Sequence, residues 1–165
     1  MTAPRDTTQS PLASQWAWHY TTRTAHRAIK PSGYLLPTAS GFEPVERYLL
    51  WFSMNDVFEP SALRYITTPD GLRRRATVHE MMRAGRGLVR YGYSPYRLLR
   101  GIELLHAARI DAAEMDLFHR AGRAMGANSA IWLVSIRSIP VGALIVEFMN
   151  HAGDWMRVAD GDGLR

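Results

Sequence analysis

Apolar residues along this chain fall into short runs, which polar and glycine-containing stretches separate. The runs are rich in aromatic and aliphatic residues, a pattern typical of buried β-strands. We therefore predict strands over residues 17–20, 48–53, 87–93, 130–136, 143–149 and 154–158.

A first helix is predicted directly after the first of these runs. Thr21 or Thr22 can cap its start with a side-chain oxygen. We expect it to end at Pro31 and Gly33, because proline has no N–H to donate and glycine tolerates a left-handed backbone.

Further helix starts are predicted where a capping residue precedes a glutamate or a proline. These pairs are Thr77 with Glu80, Ser94 with Pro95, and Asp111 with Glu114. We expect the helix that starts at Pro95 to run to about Ala108. Residues 59–76 carry no clear strand or helix signal and are expected to form a long loop.

The length and composition indicate one folded domain. A chain of 165 residues with 47% hydrophobic residues can bury one substantial core. The polar segment 1–14 is expected to be a flexible tail, residues 15–158 a single domain, and residues 159–165 a second flexible tail. The order of the elements predicts an α+β fold in which small mixed or antiparallel sheet halves are separated by helices.

Cysteine is absent, and no apolar segment has the length of a signal-peptide core or a membrane span. Disulfides and thiolate metal sites are thereby excluded. We expect a cytoplasmic protein that does not enter a membrane.

The net charge of +5 raises the question of a nucleic-acid partner. The densest group of cations is the run Arg73, Arg74 and Arg75. This run is either a phosphate-facing surface or a solvated basic loop, and the sequence leaves both interpretations open.

Several standard chemistries lack their motifs. Two carboxylate–histidine pairs have helical spacing, Glu103 with His106 and Asp116 with His119, but matching carboxylates on further helices are missing, so no metal site is expected. A nucleophile elbow and a phosphate-binding glycine loop are also missing.

The segments "HYTT…AIKPSGYLLPT" and "WFSMNDVFEPSA" lie within residues 17–62. Their layout resembles the first half of an ADP-ribosyltransferase-like domain: a strand with histidine and hydroxyl residues, a helix, and an aromatic–hydroxyl strand. The closest layouts are those of DNA-targeting ADP-ribosyltransferase toxins and RNA 2′-phosphotransferases. The resemblance implies an ADP-ribosyltransferase-like fold and the use of NAD as a substrate.

The resemblance assigns roles to residues of the first strand. His19 is the expected catalytic histidine, because an imidazole there can bond a ribose hydroxyl, and Thr21 can bond the nicotinamide amide. Tyr20 offers a ring face on which nicotinamide can stack. The alternative is that this stretch is plain core, with its polar groups satisfied inside the protein.

The second strand completes the expected NAD site if it lies beside the first. Trp51 offers another stacking face, and Ser53 a hydroxyl next to it. Arg47, just ahead of this strand, can pair with the pyrophosphate of NAD.

This chain departs from the family pattern at the late glutamate. The resemblance places it shortly before the turn at Ile139–Pro140, where this chain has no acidic residue. Glu147 on the following strand is therefore the catalytic candidate. Three outcomes stay open: Glu147 serves in this role, the chemistry relies on basic residues, or catalysis has been lost.

These features lead to two functional hypotheses. The first is an NAD-dependent ADP-ribosyltransferase-like enzyme that modifies a nucleic acid or a protein. The second is a catalytically inactive domain of the same fold that binds a partner through its basic, aromatic surface. A plain DNA-binding protein is a third interpretation, which the missing helix-turn-helix signature disfavours.

Overall fold

The computed structural model describes residues 16–39 and 48–157. The predicted tails, 1–14 and 159–165, and the candidate residue Arg47 lie outside the described residues.

The described chain has an α+β fold built from short strands and helices. The strands are β1 (Ala17–Thr22), β2 (Tyr34–Leu35), β3 (Thr38–Ala39), β4 (Tyr48–Ser53), β5 (Tyr65–Thr67), β6 (Arg73–Arg75), β7 (Leu88–Tyr93), β8 (Trp132–Ser135), β9 (Ile139–Pro140), β10 (Ile145–Met149) and β11 (Trp155–Arg157). The α-helices are α1 (Arg23–Ser32), α2 (Val78–Ala84), α3 (Gly101–Ala108) and α4 (Ala112–Ala124). Single 3₁₀ turns lie at Pro60–Ala62, Pro95–Arg97, Ser129–Ile131 and Val141–Ala143.

The main sheet has the order β11-β10-β7-β1-β4, with β8 and β3 both paired to β4. The pairings between its strands are antiparallel. The two early strands predicted to be neighbours, β1 and β4, are therefore adjacent. Their ladder consists of the single pair Trp18 with Ser53.

Side chains alternate between the two faces of this sheet. One face, with Ala17 and Tyr91, packs against α1, β2 and β9. The other face carries two clusters, one around Phe118 with α3 and α4, and one around Met81 with α2. Trp18 lies on this second face, because it is paired with Ser53 and Gly92 in the ladders of β1.

Local capping signals predicted the helix starts correctly in three places. Thr22 accepts a hydrogen bond from the Ala25 N–H, and Gly33 ends α1 with a left-handed φ of 73°. Pro31 lies inside the last turn of α1 rather than after it. The capping boxes of α2 and α4 both form, at Thr77 with Glu80 and at Asp111 with Glu114.

The prediction of one helix from Pro95 to Ala108 is wrong. A 3₁₀ turn covers Pro95–Arg97, and α3 begins only at Gly101. Between them, Leu99 exchanges two backbone hydrogen bonds with Val134, at 2.8 and 2.9 Å. This bridge holds the chain extended, so that the neighbouring Leu98 is buried in the core.

The prediction of a long loop over residues 59–76 is also wrong. Strands β5 and β6 form a hairpin there, in which Tyr65 is paired with Arg75. Gly71 supplies the turn, with a φ of 82° and an N–H bonded to the Thr68 carbonyl. Among the described helices, none combines the length and the apolar character that a membrane crossing needs.

Candidate functional site

A cavity of about 410 Å3 opens on the second face of the sheet, over β1, β4 and β8. Its size lies within the range of small-molecule sites. Residues of α4 and of the segment 61–65 form the opposite wall. The lining residues are Trp18, His19, Tyr20, Thr38, Trp51, Phe52, Ser53, Glu59, Ser61, Ala62, Leu63, Tyr65, Phe118, Met125 and Trp132.

The floor of this cavity is a row of three side chains across three strands. Ser53 of β4 is paired with Trp18 of β1 on one side and with Trp132 of β8 on the other. Paired residues share a face, so the serine hydroxyl lies between two indoles, with strands spaced by about 4.8 Å. We call this set the Trp18–Ser53–Trp132 row.

A buried carboxylate reaches this row from the segment after β4. Glu59 is 5% exposed, and its Oε2 accepts a hydrogen bond of 2.6 Å from the Ser53 hydroxyl. Its Oε1 accepts from the N–H and the hydroxyl of Ser61, at 3.2 and 2.8 Å. Among the described residues, no Lys, Arg or His forms an ion pair with Glu59. The cavity therefore contains an acidic group that hydroxyl donors hold in place.

The hydrogen bonding of His19 indicates which of its ring nitrogens carries the proton. Nδ1 lies 2.9 Å from the Trp51 carbonyl oxygen, which can only accept, so Nδ1 carries the proton. Burial lowers the pKa of His19, and the bond to Trp51 opposes this only in part, which favours the neutral ring. Nε2 then has a free lone pair, and no described residue bonds it.

His19 and Ser53 belong to opposite faces by strand alternation, since His19 directly follows the residue paired with Ser53. Both nevertheless line the cavity. The β1–β4 ladder ends after one pair, and the His19 ring bonds the Trp51 carbonyl where a backbone donor would stand in a continuous ladder. His19 and Ser53 thus both border one cavity, although strand alternation assigns them to opposite faces of the sheet.

Two other candidates of the first strand have different positions. Tyr20 lines the cavity, but its hydroxyl donates to the Asn55 carbonyl and its ring packs against Phe58. Burial raises the pKa of Tyr20, so it remains a neutral phenol. Thr21 faces away from the Trp18 side of β1 and is not a lining residue.

Trp51 forms part of the cavity wall, as a stacking residue requires. Its ring centroid lies 5.3 Å from that of Phe118 and 5.5 Å from that of Trp132. The rings are tilted by 53° and 72° to that of Trp51, so this part of the wall is aromatic with its ring planes inclined to one another.

Glu147 lies outside the cavity lining. It is on β10 and forms an ion pair with Arg90 at 2.6 Å, with a second contact of 2.7 Å from Arg90 Nε. The Arg90 guanidinium stacks between the indoles of Trp18 and Trp155, at 3.8 and 4.5 Å. Glu147 is thus the counter-ion of a buried cation, and the structure does not bring it together with His19 and Ser53.

Glu59 and the two indoles of the row were not among the predicted site residues. Glu59 was placed in a supposed loop, although it precedes Pro60 and Ser61, a sequence that suits the start of a 3₁₀ turn. The available signal was the serine two positions after Glu59, because Ser61 is close enough in the chain to donate a hydrogen bond to its carboxylate. Trp18 and Trp132 were within predicted strands, but only the register shows that they flank Ser53.

The arginine run is largely committed to internal contacts. Arg74 forms an ion pair with Glu80. Arg75 donates to the backbone carbonyls of Met125, Pro60 and Leu63, which ties the hairpin to the cavity wall. Arg73 lies over the Tyr65 ring at 4.9 Å.

Among the described residues, no group of three or more histidine and acidic side chains is placed to hold a metal ion. The chain has no match among protein-family models, curated proteins or solved structures.

Proposed function

We propose that this chain is an NAD-dependent ADP-ribosyltransferase-like protein that modifies a nucleic acid or a protein, with the cavity over β1 and β4 as its active site. The observation that carries the proposal is the arrangement of His19, Ser53 and Glu59 along one cavity. An imidazole lone pair, a hydroxyl and a buried carboxylate are the groups that such a transfer uses.

The lining suits the nicotinamide end of NAD. Its walls are mainly aromatic, and Glu59 is the one carboxylate among the described lining residues, which include no Lys or Arg. Aromatic faces and a carboxylate favour a flat, positively charged ring, which the nicotinamide of NAD is. The pyrophosphate needs cations from elsewhere, and Arg47 remains the predicted partner.

In the proposed reaction, the substrate and the cavity residues have separate roles. NAD supplies the ADP-ribosyl group and a glycosidic bond that breaks with the departure of nicotinamide. Glu59 stabilises the positive charge that develops on the ribose, because its carboxylate is buried and already oriented by Ser53 and Ser61. His19 accepts a hydrogen bond from a ribose hydroxyl at Nε2 and orients the sugar.

We assign the carboxylate role to Glu59 in preference to Glu147. The ion pair with Arg90 neutralises Glu147, whereas Glu59 lines the cavity and has only neutral hydrogen-bond donors among the described residues. A carboxylate without a neutralising cation has the stronger field at the reacting sugar.

The rate of NAD hydrolysis by the purified protein tests the proposal. Removing one preorganised electrostatic group lowers such rates about 10²–10³-fold, so Glu59→Gln should show a loss of that order. Glu103→Gln, which changes an exposed carboxylate of α3, is the matched control and should keep the parent rate. An unmodified protein that consumes no NAD, or a Glu59→Gln variant with full activity, contradicts the proposal.

One observation favours the second candidate, an inactive domain that binds a partner. The hydroxyls of Ser53 and Tyr20 both donate to groups inside the protein rather than pointing to a substrate. An inactive domain would show a thermal shift with NAD or a nucleic acid and no release of nicotinamide.

A further inference from the structure

Helix α1 carries a row of cations along one side. Arg23, Arg27 and Lys30 have the spacing i, i+4 and i+7, which places them on the same side of a helix. Arg27 and Lys30 are exposed, and Arg23 is partly buried. Among the described residues, none of the three forms an ion pair. We call this row the α1 cation stripe.

A fourth cation, Arg86, lies beside the start of this helix. It is exposed, in the turn between α2 and β7. The carbonyl before it, of Gly85, accepts a hydrogen bond of 3.1 Å from the Thr24 N–H. The carbonyl after it, of Gly87, accepts one of 2.9 Å from the Arg23 N–H. Two segments that are distant in sequence thus place their cations at one end of α1.

Acidic residues are absent from both segments that build this surface. Residues 17–39 and 81–102 contain no Asp or Glu, although the whole chain has 15 of them. The positive charges also act on His26 of the same helix. Burial is the largest cause of its lowered pKa, and the charges of Lys30 and Arg23 lower the pKa of His26 further. The positive charge of α1 is therefore not balanced by acidic neighbours within these segments.

The four cations are unfavourable for the elements that carry them. Arg23 is the first residue of α1, where the helix dipole disfavours a positive charge. Arg23 and Arg27 form a like-charge pair at the spacing i, i+4, which also destabilises a helix. Arg86 has a φ of 56°, in the left-handed region that glycine or asparagine adopts more easily. Residues that break such local rules are expected at functional sites.

The pattern of charge fits a phosphate backbone. From Arg23 to Lys30 the stripe covers about 10 Å of the helix axis, at about 1.5 Å per residue. One DNA strand has a charge about every 3.4 Å, so this length matches about three phosphates. A protein partner fits less well, because charged residues are depleted at the centre of protein interfaces. A membrane also fits less well, because it needs an exposed apolar helix face, and Ile29 of α1 packs against the core.

We infer that the α1 cation stripe and Arg86 form a surface that binds the phosphate backbone of a nucleic acid. Helix α1 lies on the face of the sheet that carries Tyr91, where Ile29 packs into the core and His26 Nδ1 lies 2.7 Å from the Tyr91 hydroxyl. The cavity opens on the other face. This surface is separate from the proposed active site, so the inference does not rest on the proposed function.

The salt dependence of DNA binding measures how many phosphates the surface contacts. A short fluorescein-labelled DNA duplex is titrated with the protein at salt concentrations between about 50 and 200 mM, and fluorescence anisotropy reports binding. With four phosphate contacts, the logarithm of the association constant should fall against the logarithm of the salt concentration with a slope of about −4. Binding should therefore weaken about 100-fold over this range.

Two single variants each remove one cation of the surface, Arg27→Gln and Arg86→Gly. Each should make the slope less negative by about one and weaken binding about tenfold at the lowest salt concentration. Arg86→Gly should also fold, because glycine adopts a φ of 56° readily. Arg123→Gln is the matched control: it removes an exposed cation of α4, lowers the net charge equally and should keep the parent slope.

Three results would overturn the inference. The first is a parent protein that does not bind the duplex at the lowest salt concentration. The second is an Arg123→Gln variant that changes the slope as much as Arg27→Gln, which would assign binding to net charge alone. The third is displacement of the duplex by polyglutamate or phosphatidylserine vesicles as effectively as by unlabelled duplex, at equal concentrations of charge. That result would assign the surface to an acidic protein or to a membrane.

Discussion

Two carboxylates lie on the same face of the sheet, Glu59 buried and Glu147 partly buried, and they are held in different ways. Glu147 forms an ion pair with Arg90, whose guanidinium is enclosed by two indoles and which is 7% exposed. Glu59 accepts hydrogen bonds from two serines and borders a cavity. The first is paired with a cation, while the second has no ion-pair partner among the described residues and borders a cavity.

This difference indicates which carboxylate is structural. A buried ion pair contributes mainly by satisfying its own members, and losing one member leaves an uncompensated charge. A buried acid without a cation is disfavoured unless something offsets it, and such groups are often found at functional sites. Glu147 therefore fits a structural role and Glu59 a functional one.

Removing the partner of Arg90 should have the largest effect on stability. Glu147→Gln leaves the guanidinium buried between two indoles without a counter-ion, so the free energy of unfolding should fall by about 3–5 kcal/mol. Urea unfolding at neutral pH measures this loss. NAD hydrolysis per folded molecule should stay at the parent rate.

Glu59→Gln should have a smaller effect on stability than Glu147→Gln. The amide keeps an oxygen that can accept from a serine, so its stability loss should be about 1–2 kcal/mol. Activity should show the reverse order, with the larger loss in Glu59→Gln. The comparison breaks if Glu147→Gln loses activity at full stability.

Local signals were sufficient to predict much of the fold. Thr22, the two capping boxes and the strand over 48–53 depend on residues close together in the chain. Leu99 is the counterexample, because its extended backbone is set by Val134, which lies far away in sequence. A cap-plus-proline signal predicted a helix there, and tertiary pairing overrode it.

The site also combines features that local sequence predicts with features that depend on tertiary contacts. The sequence pointed to His19 and Ser53, and the expected pairing of their strands is observed. It named Glu147 as the catalytic carboxylate, because the pairing of Glu147 with Arg90, 57 positions away, depends on tertiary structure. The contact of Glu59 with Ser53 likewise depends on how the segment after β4 turns back over that strand.

Two variants of His19 separate its bond to Trp51 from its role in the cavity. His19→Ala leaves the Trp51 carbonyl without its donor and should lower stability by about 1 kcal/mol. His19→Asn has an amide N–H near the place of Nδ1, so its stability loss should be smaller. Both variants lack Nε2, and both should lose NAD hydrolysis at least about tenfold.

Urea unfolding and nicotinamide release, measured on the same preparations, test this pair. A His19→Asn variant with the parent rate would show that Nε2 has no role in the reaction. Equal stability of the alanine variant and the parent would show that the Trp51 contact contributes nothing.

Stability should also depend weakly on pH through the histidines. Burial lowers the pKa values of His19 and His26 below 6.5, and Lys30 and Arg23 add to the effect at His26. Between the folded pKa and 6.5 the unfolded chain binds more protons, so stability falls as the pH drops through 6.5 and levels off below the folded pKa. Each proton changes the free energy of unfolding by at most about 1.4 kcal/mol per pH unit.

Unfolding of the parent and of His19→Asn at pH 7.5 and 5.5 isolates the contribution of His19. The carboxylates with lowered pKa values, Asp70 and Glu80, stay ionised across this window, so they do not interfere. The variant should lose less stability on acidification than the parent, and His26 accounts for the remainder. Solvent screens His26 more than His19, which makes its share the smaller one. An identical fall in both proteins would mean that His19 titrates normally, and its Nδ1 would then not be held as a buried neutral donor to Trp51.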